Sequence, residues 1–454
     1  MACFKGKKVL VAGLGESGTA AIKALLDLGA EVSACDAKEP DAIDPKLLKT
    51  LNDNGVRCYL GGARAPETGF DTLILSPGIP PGREFIKNAM KHGSEVIGEL
   101  ELAFRLCRGR FAAITGTNGK TTTVALTGEI FKTAGRDTFV VGNIGVPAIS
   151  AAKETKGDSW LVTEVSSFQL ETVKDFKPHI SAVLNISPDH LDRHGSMRDY
   201  TGAKSRIFQN QDENDRFIVN RDDKEAYRLS AKCRAGIAPF SRTHELELGA
   251  FVKNGAIVLR GCEGGLTELC GADELAIPGA HNLENALAAA AISYFAGIPP
   301  EAIAKALRAF TGVEHRLENC GEAGGVRFVN DSKGTNPDAS IMAVRAIDGP
   351  IILIAGGYDK KSEFAELIGS FRGKVRYMAL MGETAEKMKE AAEAKGFFNS
   401  AVFGGMEECV SAAFRQAVPG DTVLLSPACA SWDMYSGFEE RGEHFKNCVR
   451  RLVG

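Results

Sequence analysis

This 454-residue sequence lacks two features that would assign it to large classes of protein. No apolar run approaches the roughly 18 residues that a membrane-spanning helix requires, so we expect no membrane insertion. The formal net charge is −4, so there is no basic excess of the kind that binds nucleic acid. We therefore expect small molecules, rather than nucleic acid or lipid, as partners.

The cysteines also lack the spacing of a metal or redox motif. All eleven are dispersed, and no two form a C-x-x-C pair. An odd, scattered count in a long chain indicates free thiols in a reducing compartment. The N-terminal residues lead directly into an apolar segment at residues 9–12, which predicts a first strand rather than a signal peptide. We expect a cytoplasmic protein.

The composition is that of a folded protein with several domains. Hydrophobic residues make up 44% of the chain and charged residues 25%, which excludes a mostly disordered chain. At ~150 residues a domain, the length suggests about three domains. Short apolar runs alternate with segments of helical periodicity, so the predicted fold class is α/β.

The most informative stretch is residues 115–122, TGTNGKTT. A short apolar run precedes it, and apolar residues at helical spacing follow it, which is the context of a phosphate-binding loop. Backbone N–H groups of such a loop and the helix N-terminus behind it converge on an anion. Ile114 stands where the usual pattern has its first glycine, so the loop is a shortened version. The alternative is a glycine turn followed by a chance Lys-Thr.

The N-terminal segment carries a second glycine-rich loop. Residues 13–18, GLGESG, match G-x-G-x-x-G, follow a predicted strand and precede a predicted helix, and Asp36 ends the next strand. This pattern predicts a nucleotide site, but it does not separate NAD from another nucleoside diphosphate. A third predicted strand, over residues 72–75, leads into Ser76 at the same crevice. The alternative is a tight turn without a ligand.

Polar clusters follow several later strands. Glu164 ends one buried strand, where a second Mg²⁺ ligand is expected beside a phosphate loop. Residues 185–194 place two histidines and two aspartates after another strand, as either a metal or acid–base site or a solvated loop. In the last third of the chain, residues 330–335, 356–361 and 426–433 follow three further strands, as ligand loops of a parallel sheet do. Residues 212–276 contain short strand-like segments and no motif that assigns a function.

Together these motifs resemble those of the Mur ligases and folylpolyglutamate synthases. The resemblance includes TGTNGKTT, EVSSFQL at 164–170, residues 185–194 and HNLENA at 281–286, in that order. NDSKGTN at 330–336 and SPACAS at 426–431 are similar to the members of the Mur ligase family that add D-glutamate. The resemblance covers nearly the whole chain.

The resemblance implies three domains. It implies a UDP-binding Rossmann-like domain over residues 1–98 and a P-loop-type ATPase domain over 99–311. It also implies a C-terminal Rossmann-like domain over 312–454, which binds the amino acid and closes over ATP. The implied substrates are ATP, D-glutamate and UDP-N-acetylmuramoyl-L-alanine. The implied reaction is amide formation through an acyl phosphate in peptidoglycan precursor synthesis, by a monomeric protein with two Mg²⁺.

Site residues follow from the resemblance by position. The implied ATP contacts are Gly116, Thr117, Asn118, Gly119, Lys120, Thr121, Thr122, Asn282, Arg316, Asp331 and Lys333. The implied contacts of the UDP substrate are Gly15, Glu16, Ser17, Asp36, Ser76, Asn143 and His190. The implied contacts of D-glutamate are Lys333, Thr335, Lys360, Ser431 and Phe438, with Lys361 as the alternative to Lys360.

The resemblance also implies the catalytic and metal residues. The implied catalytic residues are Lys120, Glu164, His190 and Lys204. The implied metal ligands are Thr121, Glu164, His190 and Lys204, the last as a carbamate, which converts a cation into an anionic oxygen ligand. Helical periodicity alone would place Lys204 in solvent.

Other functions remain open at this point. A relative could add L-alanine or a diamino acid, or could add glutamate to folate, although folate enzymes lack the first domain. An NAD-dependent oxidoreductase fused to a nucleotide-binding module would bind nicotinamide. A nucleotide-gated binding protein would bind ATP without turnover that depends on an amino acid.

Overall fold

The computed structural model describes residues 4–61, 68–143, 145–277, 279–359 and 362–453. The chain forms two compact units, residues 1–311 and 312–454. The described residues form three β-sheets, two in the first unit and one in the second. Among these residues, no helix is both long and apolar enough to cross a membrane.

The first sheet is parallel throughout. Its strands are β1 (Lys8–Ala12), β2 (Glu31–Asp36), β3 (Arg57–Leu60), β4 (Thr72–Leu75) and β5 (Glu95–Gly98), in the order β3-β2-β1-β4-β5. The associated helices are α1 (Glu16–Asp27), α2 (Pro45–Asp53), α3 (Glu84–Lys91) and α4 (Glu99–Leu106). The strand order reverses between β1 and β4, so a ligand crevice opens at the carboxyl ends of these two strands.

The second sheet is mixed. Its strands are β6 (Arg110–Thr115), β7 (Thr138–Gly142), β8 (Trp160–Glu164), β9 (Ile180–Val183), β10 (Arg216–Asn220), β11 (Gly236–Ser241), β12 (Gly249–Lys253), β13 (Ala256–Arg260) and β14 (Leu266–Gly271). The order is β14-β13-β12-β11-β10-β9-β6-β8-β7, and only the pairs β12–β13 and β13–β14 are antiparallel among the described strands. The strands of residues 212–276 thus extend one edge of this sheet.

Helices connect the strands of the second sheet. They are α5 (Lys120–Thr133), α6 (Ala148–Ala152), α7 (Ser167–Leu170), α8 (Leu191–His194), α9 (Met197–Ser205), α10 (Lys224–Arg228), α11 (Ala280–Phe295) and α12 (Pro300–Ala309). Short 3₁₀ helices lie at Pro40–Ala42, Arg206–Phe208, Leu229–Lys232 and Ala272–Glu274. Helix α11 is mostly apolar and packs against α5, the helix that follows the phosphate loop.

Helix α4 joins the two sheets of the first unit. The rings of Phe104, Phe111 and Phe176 pack with centroids 5.6–5.8 Å apart, so one apolar cluster crosses from the first sheet to the second. Glu101, fully buried on the same helix, accepts hydrogen bonds from the backbone N–H groups of residues 174–176 and from Arg105. A buried carboxylate is stable only with such partners.

The third sheet forms the second unit. Its strands are β15 (Glu318–Ala323), β16 (Val326–Asn330), β17 (Ile351–Ala355), β18 (Val375–Leu380), β19 (Ser400–Val402) and β20 (Thr422–Leu425), in the order β15-β16-β20-β17-β18-β19. The β15–β16 pair is antiparallel and the others are parallel. Its helices are α13 (Pro337–Ala346), α14 (Ala365–Gly369), α15 (Ala385–Ala394), α16 (Met406–Gln416) and α17 (Phe438–Val453). The α/β fold class is confirmed.

Candidate functional site

The glycine loop lies between β6 and α5, as its sequence predicts. Gly119 has a φ of 82°, and a Cβ atom there would lie 2.3 Å from Oδ1 of Asn285, so glycine is required twice over. Asn285 also accepts a hydrogen bond from the hydroxyl of Thr123 and donates one to Oδ1 of Asn282. The start of α11, where Asn282 lies, therefore packs directly on the loop.

The side chain of Lys120 is folded back over the loop. Its Nζ donates to the carbonyl oxygens of Gly116 and Thr117, each at 2.9 Å. A charge-assisted bond from an ammonium group to an anion is stronger than one to a neutral carbonyl. Lys120 is therefore positioned to exchange these carbonyls for phosphate oxygens.

The tip of the loop is fastened to the residues after β9. The backbone N–H of Asn118 donates to Oδ1 of Asn185 at 2.8 Å, and Nδ2 of Asn185 donates back to the carbonyl of Asn118. The hydroxyl of Thr117 accepts from the backbone N–H of Ser187 and lies 3.1 Å from the Tyr200 hydroxyl. The motif at 185–194 therefore supports the phosphate loop with its first residues.

Glu164 ends β8 and is buried beside the loop. Its Oε1 accepts a hydrogen bond from Nδ2 of Asn143 at 3.2 Å, and its backbone carbonyl accepts from the N–H of the same residue. An expected metal ligand, Glu164, and an expected substrate contact, Asn143, therefore touch each other. The carboxylate is placed by the strand rather than by a flexible loop.

Lys204 is the largest departure from what helical periodicity suggests. It is only 2% exposed, and its Nζ donates to the carbonyl of Gly116 at 2.8 Å and lies 4.7 Å from the centre of the Tyr200 ring. Burial, and then the positive charge of Lys120, lowers the pKa of Lys204 well below its usual value, although Asp189 and Glu164 oppose this. Such surroundings favour the neutral, nucleophilic form of the amine over the ammonium form.

His190 and His194 have different surroundings. His190 has a φ of 51° and a half-exposed side chain, whose Nε2 lies 3.5 Å from Asp189 and whose ring packs on Phe168. His194 is nearly buried, and its Nε2 lies 3.0 Å from the Ser167 hydroxyl. Burial lowers the pKa of His194, which favours the neutral form of this ring. Because its side chain is half-exposed, whereas that of His194 is nearly buried, His190 is the histidine that a ligand can reach.

Tyr200 is a site residue that the motifs did not indicate. It is buried, bonds to Thr117 and covers Lys204, and burial raises its pKa to about 12. It therefore remains a neutral phenol. Its position four residues before Lys204 on α9 is the one signal that could have identified it, since residues four apart share a helix face.

The crevice of the first sheet holds the residues expected to bind UDP. Gly15 precedes α1, which begins at Glu16 and includes Ser17, and a Cβ on Gly18 would lie 1.8 Å from the Gly13 carbonyl. Both carboxylate oxygens of Asp36 accept backbone N–H groups, from Leu14 at 2.7 Å and from Lys38 at 2.9 Å. Asp36 thus braces the glycine loop.

Ser76 directly follows β4, the second of the two strands at which this crevice opens. Its hydroxyl donates to the carbonyl of Gly13 at 3.3 Å, and its backbone N–H donates to Ala12. The loops after β1 and β4 are therefore bonded to each other. The helix N-terminus behind them favours an anion such as a diphosphate.

In the second unit, Asp331 lies at the end of β16 and is almost fully buried. Its Oδ2 accepts a hydrogen bond from the Ser426 hydroxyl at 2.7 Å, and its Oδ1 lies 3.4 Å from the backbone nitrogen of Leu317. Burial raises the pKa of Asp331 to about 6, although Ser426 and the charge of Arg316 oppose the rise. The loops after β16 and β20 thus meet at this carboxyl group.

The residues expected at D-glutamate lie around the same loops. Nζ of Lys333 lies 5.6 Å from the centre of the Phe438 ring, and the Phe438 carbonyl accepts a hydrogen bond from Ser332. The backbone N–H of Thr335 donates to the Lys333 carbonyl, and Ser431 is buried in the loop after β20. Lys360 and Lys361 lie outside the described residues.

Arg441 is a second residue that sequence reasoning missed. It is 1% exposed and donates from Nε to the Ser332 hydroxyl, from Nη2 to the Ser332 carbonyl, and from Nη1 to the carbonyls of Cys429 and Ala430. Burial lowers its pKa to about 10. Its guanidinium joins the DSKGT loop (residues 331–335) to the PACAS loop (residues 427–431). The surrounding sequence is that of an ordinary charged helix, so it does not indicate this role.

Three family models match the chain. They are described as "Mur ligase MurD-like, N-terminal domain" over residues 7–98, "Mur ligase middle domain" over 114–293, and "Mur ligase, glutamate ligase domain" over 315–429.

Curated proteins match over the full length. The chain is 48% identical to the UDP-N-acetylmuramoylalanine–D-glutamate ligase of Thermoanaerobacter sp. strain X514, and 45% identical to that of Clostridioides difficile strain 630, with 99% of each chain covered in both comparisons. Among solved structures, the UDP-N-acetylmuramate–alanine ligase of Thermotoga maritima matches with a TM-score of 0.57 and 16% identity, over 98% of this chain and 99% of that one. The structural match supports the fold.

Proposed function

Because this chain belongs to the Mur ligase family, we propose that it is an ATP-dependent ligase that joins D-glutamate to UDP-N-acetylmuramoyl-L-alanine. The observation that carries this proposal is the full-length similarity to ligases of that name, at up to 48% identity. The phosphate loop, with Glu164 and Lys204 buried beside it, supplies the chemistry that such a reaction needs. The expected products are ADP, phosphate and the amide.

The reaction proceeds through a mixed anhydride. An oxygen of the L-alanine carboxylate attacks the γ-phosphorus of ATP, and ADP leaves. The amine of D-glutamate then attacks the acyl carbon, a proton is lost, and the tetrahedral intermediate expels phosphate as the amide forms. Phosphorylation is required because a carboxylate is a poor electrophile.

The phosphate loop acts by placing charge. The N–H groups of Gly116, Thr117, Asn118, Gly119, Lys120, Thr121 and Thr122 surround the ATP phosphates. Lys120 gives up the carbonyls of Gly116 and Thr117 and moves its ammonium group onto the transferring phosphoryl oxygens. Stabilisation of the charge in the transition state is the main catalytic task in phosphoryl transfer. Asn282, Arg316, Asp331 and Lys333 are the further ATP contacts that we propose.

The donors near this loop suit Mg²⁺, which prefers oxygen ligands. The proposed ligands are the hydroxyl of Thr121, the carboxylate of Glu164, His190 and a carbamate on Lys204. Bound Mg²⁺ neutralises charge on the phosphoryl group. We propose two Mg²⁺ ions. His190 would be the one nitrogen ligand among these oxygen donors.

Carbamylation of Lys204 fits its surroundings. Its amine is buried next to Lys120, and burial and that neighbouring charge lower its pKa, which favours the neutral form that attacks carbon dioxide. The N–C bond forms, the amine loses one proton, and an anionic carboxylate results. That anion would be attracted to the ammonium group of Lys120, whereas a protonated Lys204 would be repelled by it.

The two remaining subsites are proposed by position. Gly15, Glu16, Ser17, Asp36 and Ser76 would hold the UDP moiety, while Asn143 and His190 would hold the muramoyl end. Lys333, Thr335, Lys360, Ser431 and Phe438 would hold D-glutamate, since a dicarboxylate requires cations and hydroxyl donors. We propose domains at 1–98, 99–311 and 312–454 for UDP, ATP and the amino acid. We also propose a monomer that acts in the cytoplasm, in peptidoglycan synthesis for cell-wall growth and division.

Phosphate release by the purified full-length chain tests this function. ATP, Mg²⁺ and UDP-N-acetylmuramoyl-L-alanine are held constant while D-glutamate, L-glutamate, L-alanine and a diamino acid are added one at a time. Release with D-glutamate and not with L-glutamate is expected. Release with another amino acid would keep the ligase and overturn the D-glutamate pocket, and release with none of them would overturn the ligase.

A further inference from the structure

A cluster of unlike donor atoms lies in the second unit between helices α16 and α17. Glu407 lies in the first turn of α16, while His444 and Cys448 lie on α17. A carboxylate oxygen, an imidazole nitrogen and Sγ from these three residues all lie within 4.8 Å of one another. None of the three residues belongs to the ATP, UDP or D-glutamate sites proposed above.

The spacing on α17 explains why two of these donors converge. His444 and Cys448 are four residues apart, so they lie on the same face of the helix, and this face packs against α16. Cys448 is 6% exposed and His444 is about one-third exposed, so the cluster has a closed side and an open side. An ion could enter from the open side.

The orientation of the histidine ring is already set. Nδ1 of His444 lies 3.0 Å from the hydroxyl of Tyr435, and Nε2 on the other side of the ring lies 3.9 Å from Oε1 of Glu407. An oxygen partner on one ring nitrogen is the arrangement that holds a metal-binding histidine in position. Tyr435 therefore leaves Nε2 as the ligand atom.

We propose that Glu407, His444 and Cys448 form a Zn²⁺ site. Nitrogen, sulfur and carboxylate oxygen together are the ligand types of Zn²⁺, whereas Mg²⁺ selects oxygen alone. Three protein ligands leave the fourth tetrahedral position for water or an incoming ligand. Binding draws the donor atoms together from their present separations, and Glu407, at 60% exposed, is free to move.

Arg451 is the group that competes for this site. Its Nη1 lies 2.8 Å from Oε1 of Glu407, and its side chain is 66% exposed. An ion pair in solvent contributes little stability and is screened by salt. A carboxylate also has two oxygens, so Arg451 and the metal can share it.

The site bears on the rest of the second unit through α17. This helix begins at Phe438 and carries Arg441, which holds the DSKGT and PACAS loops together. A zinc ion bound by both α16 and α17 would fix the position of α17, and with it the positions of Phe438 and Arg441. The binding claim does not require the ligase reaction, so it can be tested separately.

Titration of the chelator-treated full-length protein with Co²⁺, in excess Mg²⁺, tests the site. Co²⁺ occupies zinc sites, and a cysteine ligand produces a sulfur-to-cobalt charge-transfer band in the near ultraviolet. We expect this band to saturate at one equivalent and to disappear when Zn²⁺ is added. Cys448→Ser should abolish the band, and the control Cys262→Ser, at an exposed cysteine in the first unit, should retain it.

Two further variants keep the test decisive if Cys448→Ser fails to fold. Glu407→Gln changes an exposed residue and should weaken Co²⁺ binding at least about tenfold. Tyr435→Phe should retain the band and weaken binding about tenfold, as loss of an outer hydrogen bond does. Absence of a band in the unaltered protein, or unchanged affinity in Glu407→Gln, would overturn the proposal.

Discussion

The buried guanidinium of Arg441 offers the sharpest test of how the second unit holds its ligand loops. Replacement by methionine keeps most of the side-chain volume and removes all the donors. Four hydrogen bonds are lost, two at Ser332 and one each at Cys429 and Ala430. Three buried carbonyls then have no charged partner, so the two loops should separate.

The size of the effect follows from two opposing contributions. Hydrogen bonds from a charged donor are worth about 1.5 kcal/mol each at the low end, or roughly 6 kcal/mol for four. Burial of the guanidinium, which lowers its pKa from the usual arginine value to about 10, costs roughly 3 kcal/mol that methionine avoids. The net loss of about 3 kcal/mol corresponds to a roughly 100-fold smaller equilibrium constant for ordering of the two loops.

Hydrogen exchange and steady-state kinetics measure this loss. We expect faster amide exchange in residues 330–335 and 428–432, and a KM for D-glutamate raised by about one to two orders of magnitude, the range set by that loss of order. Binding of the UDP substrate should not change, because its proposed residues are in the first unit. Arg376→Met is the matched control, since Arg376 is half-exposed and bonds to Asp421, which lies at the opposite end of β20 from the PACAS loop.

The reasoning fails if Arg441→Met leaves both the exchange rates and the KM for D-glutamate at the values of the unaltered protein. It also fails if Arg376→Met produces the same change. Arg441→Lys distinguishes charge from geometry, because a single amine cannot reach all four acceptors. We expect Arg441→Lys to behave like Arg441→Met rather than like the unaltered protein.

Three other changes have defined outcomes. Lys120→Ala should lower phosphate release by about 100-fold or more, as loss of one preorganised donor does, and near-normal turnover would contradict the loop assignment. Lys204→Ala should remove the carbamate signal seen by ¹³C NMR in labelled bicarbonate, and should lower turnover without lowering the thermal midpoint. Burial raises the pKa of Glu99 to about 7, and Oε2 of this residue has no hydrogen-bond partner among the residues that the structure describes. The folded state therefore keeps a proton that the unfolded chain has released, so stability falls as pH rises from 4.5 to 7. Glu99→Gln, whose Oε1 can still accept from Ile149, should raise the thermal midpoint at pH 8 and not at pH 4.

Strand positions could be predicted well from the sequence, because buried parallel strands appear as short apolar runs. The run at residues 111–114 became β6 (Arg110–Thr115), and the runs at 72–75 and 422–425 match β4 and β20. Residues 212–276 are harder to interpret because no motif there assigns a function, although β10 and β13 contain short apolar runs with four of five residues buried. The edge strand β14 lacks such a run, since its first three residues are exposed or only partly buried.

Site residues could be predicted where a sequence motif has a known structural cause. They could not be predicted where a residue's role depends on burial by distant parts of the chain. Glycine spacing indicated both nucleotide loops, since backbone geometry restricts those positions. Helical periodicity alone places Lys204 in solvent on a polar helix, whereas in the fold its amine donates to the Gly116 carbonyl. Arg441 and Tyr200 were missed for the same reason, because their partners are distant in sequence.

Transfer of ¹⁸O from substrate to phosphate tests the central claim most directly. UDP-N-acetylmuramoyl-L-alanine labelled with ¹⁸O in its carboxylate is incubated with the protein, ATP, Mg²⁺ and D-glutamate, and the released phosphate is analysed by mass. An acyl phosphate requires that one labelled oxygen pass to phosphate in each turnover that forms the amide. Amide formation with unlabelled phosphate would contradict the account.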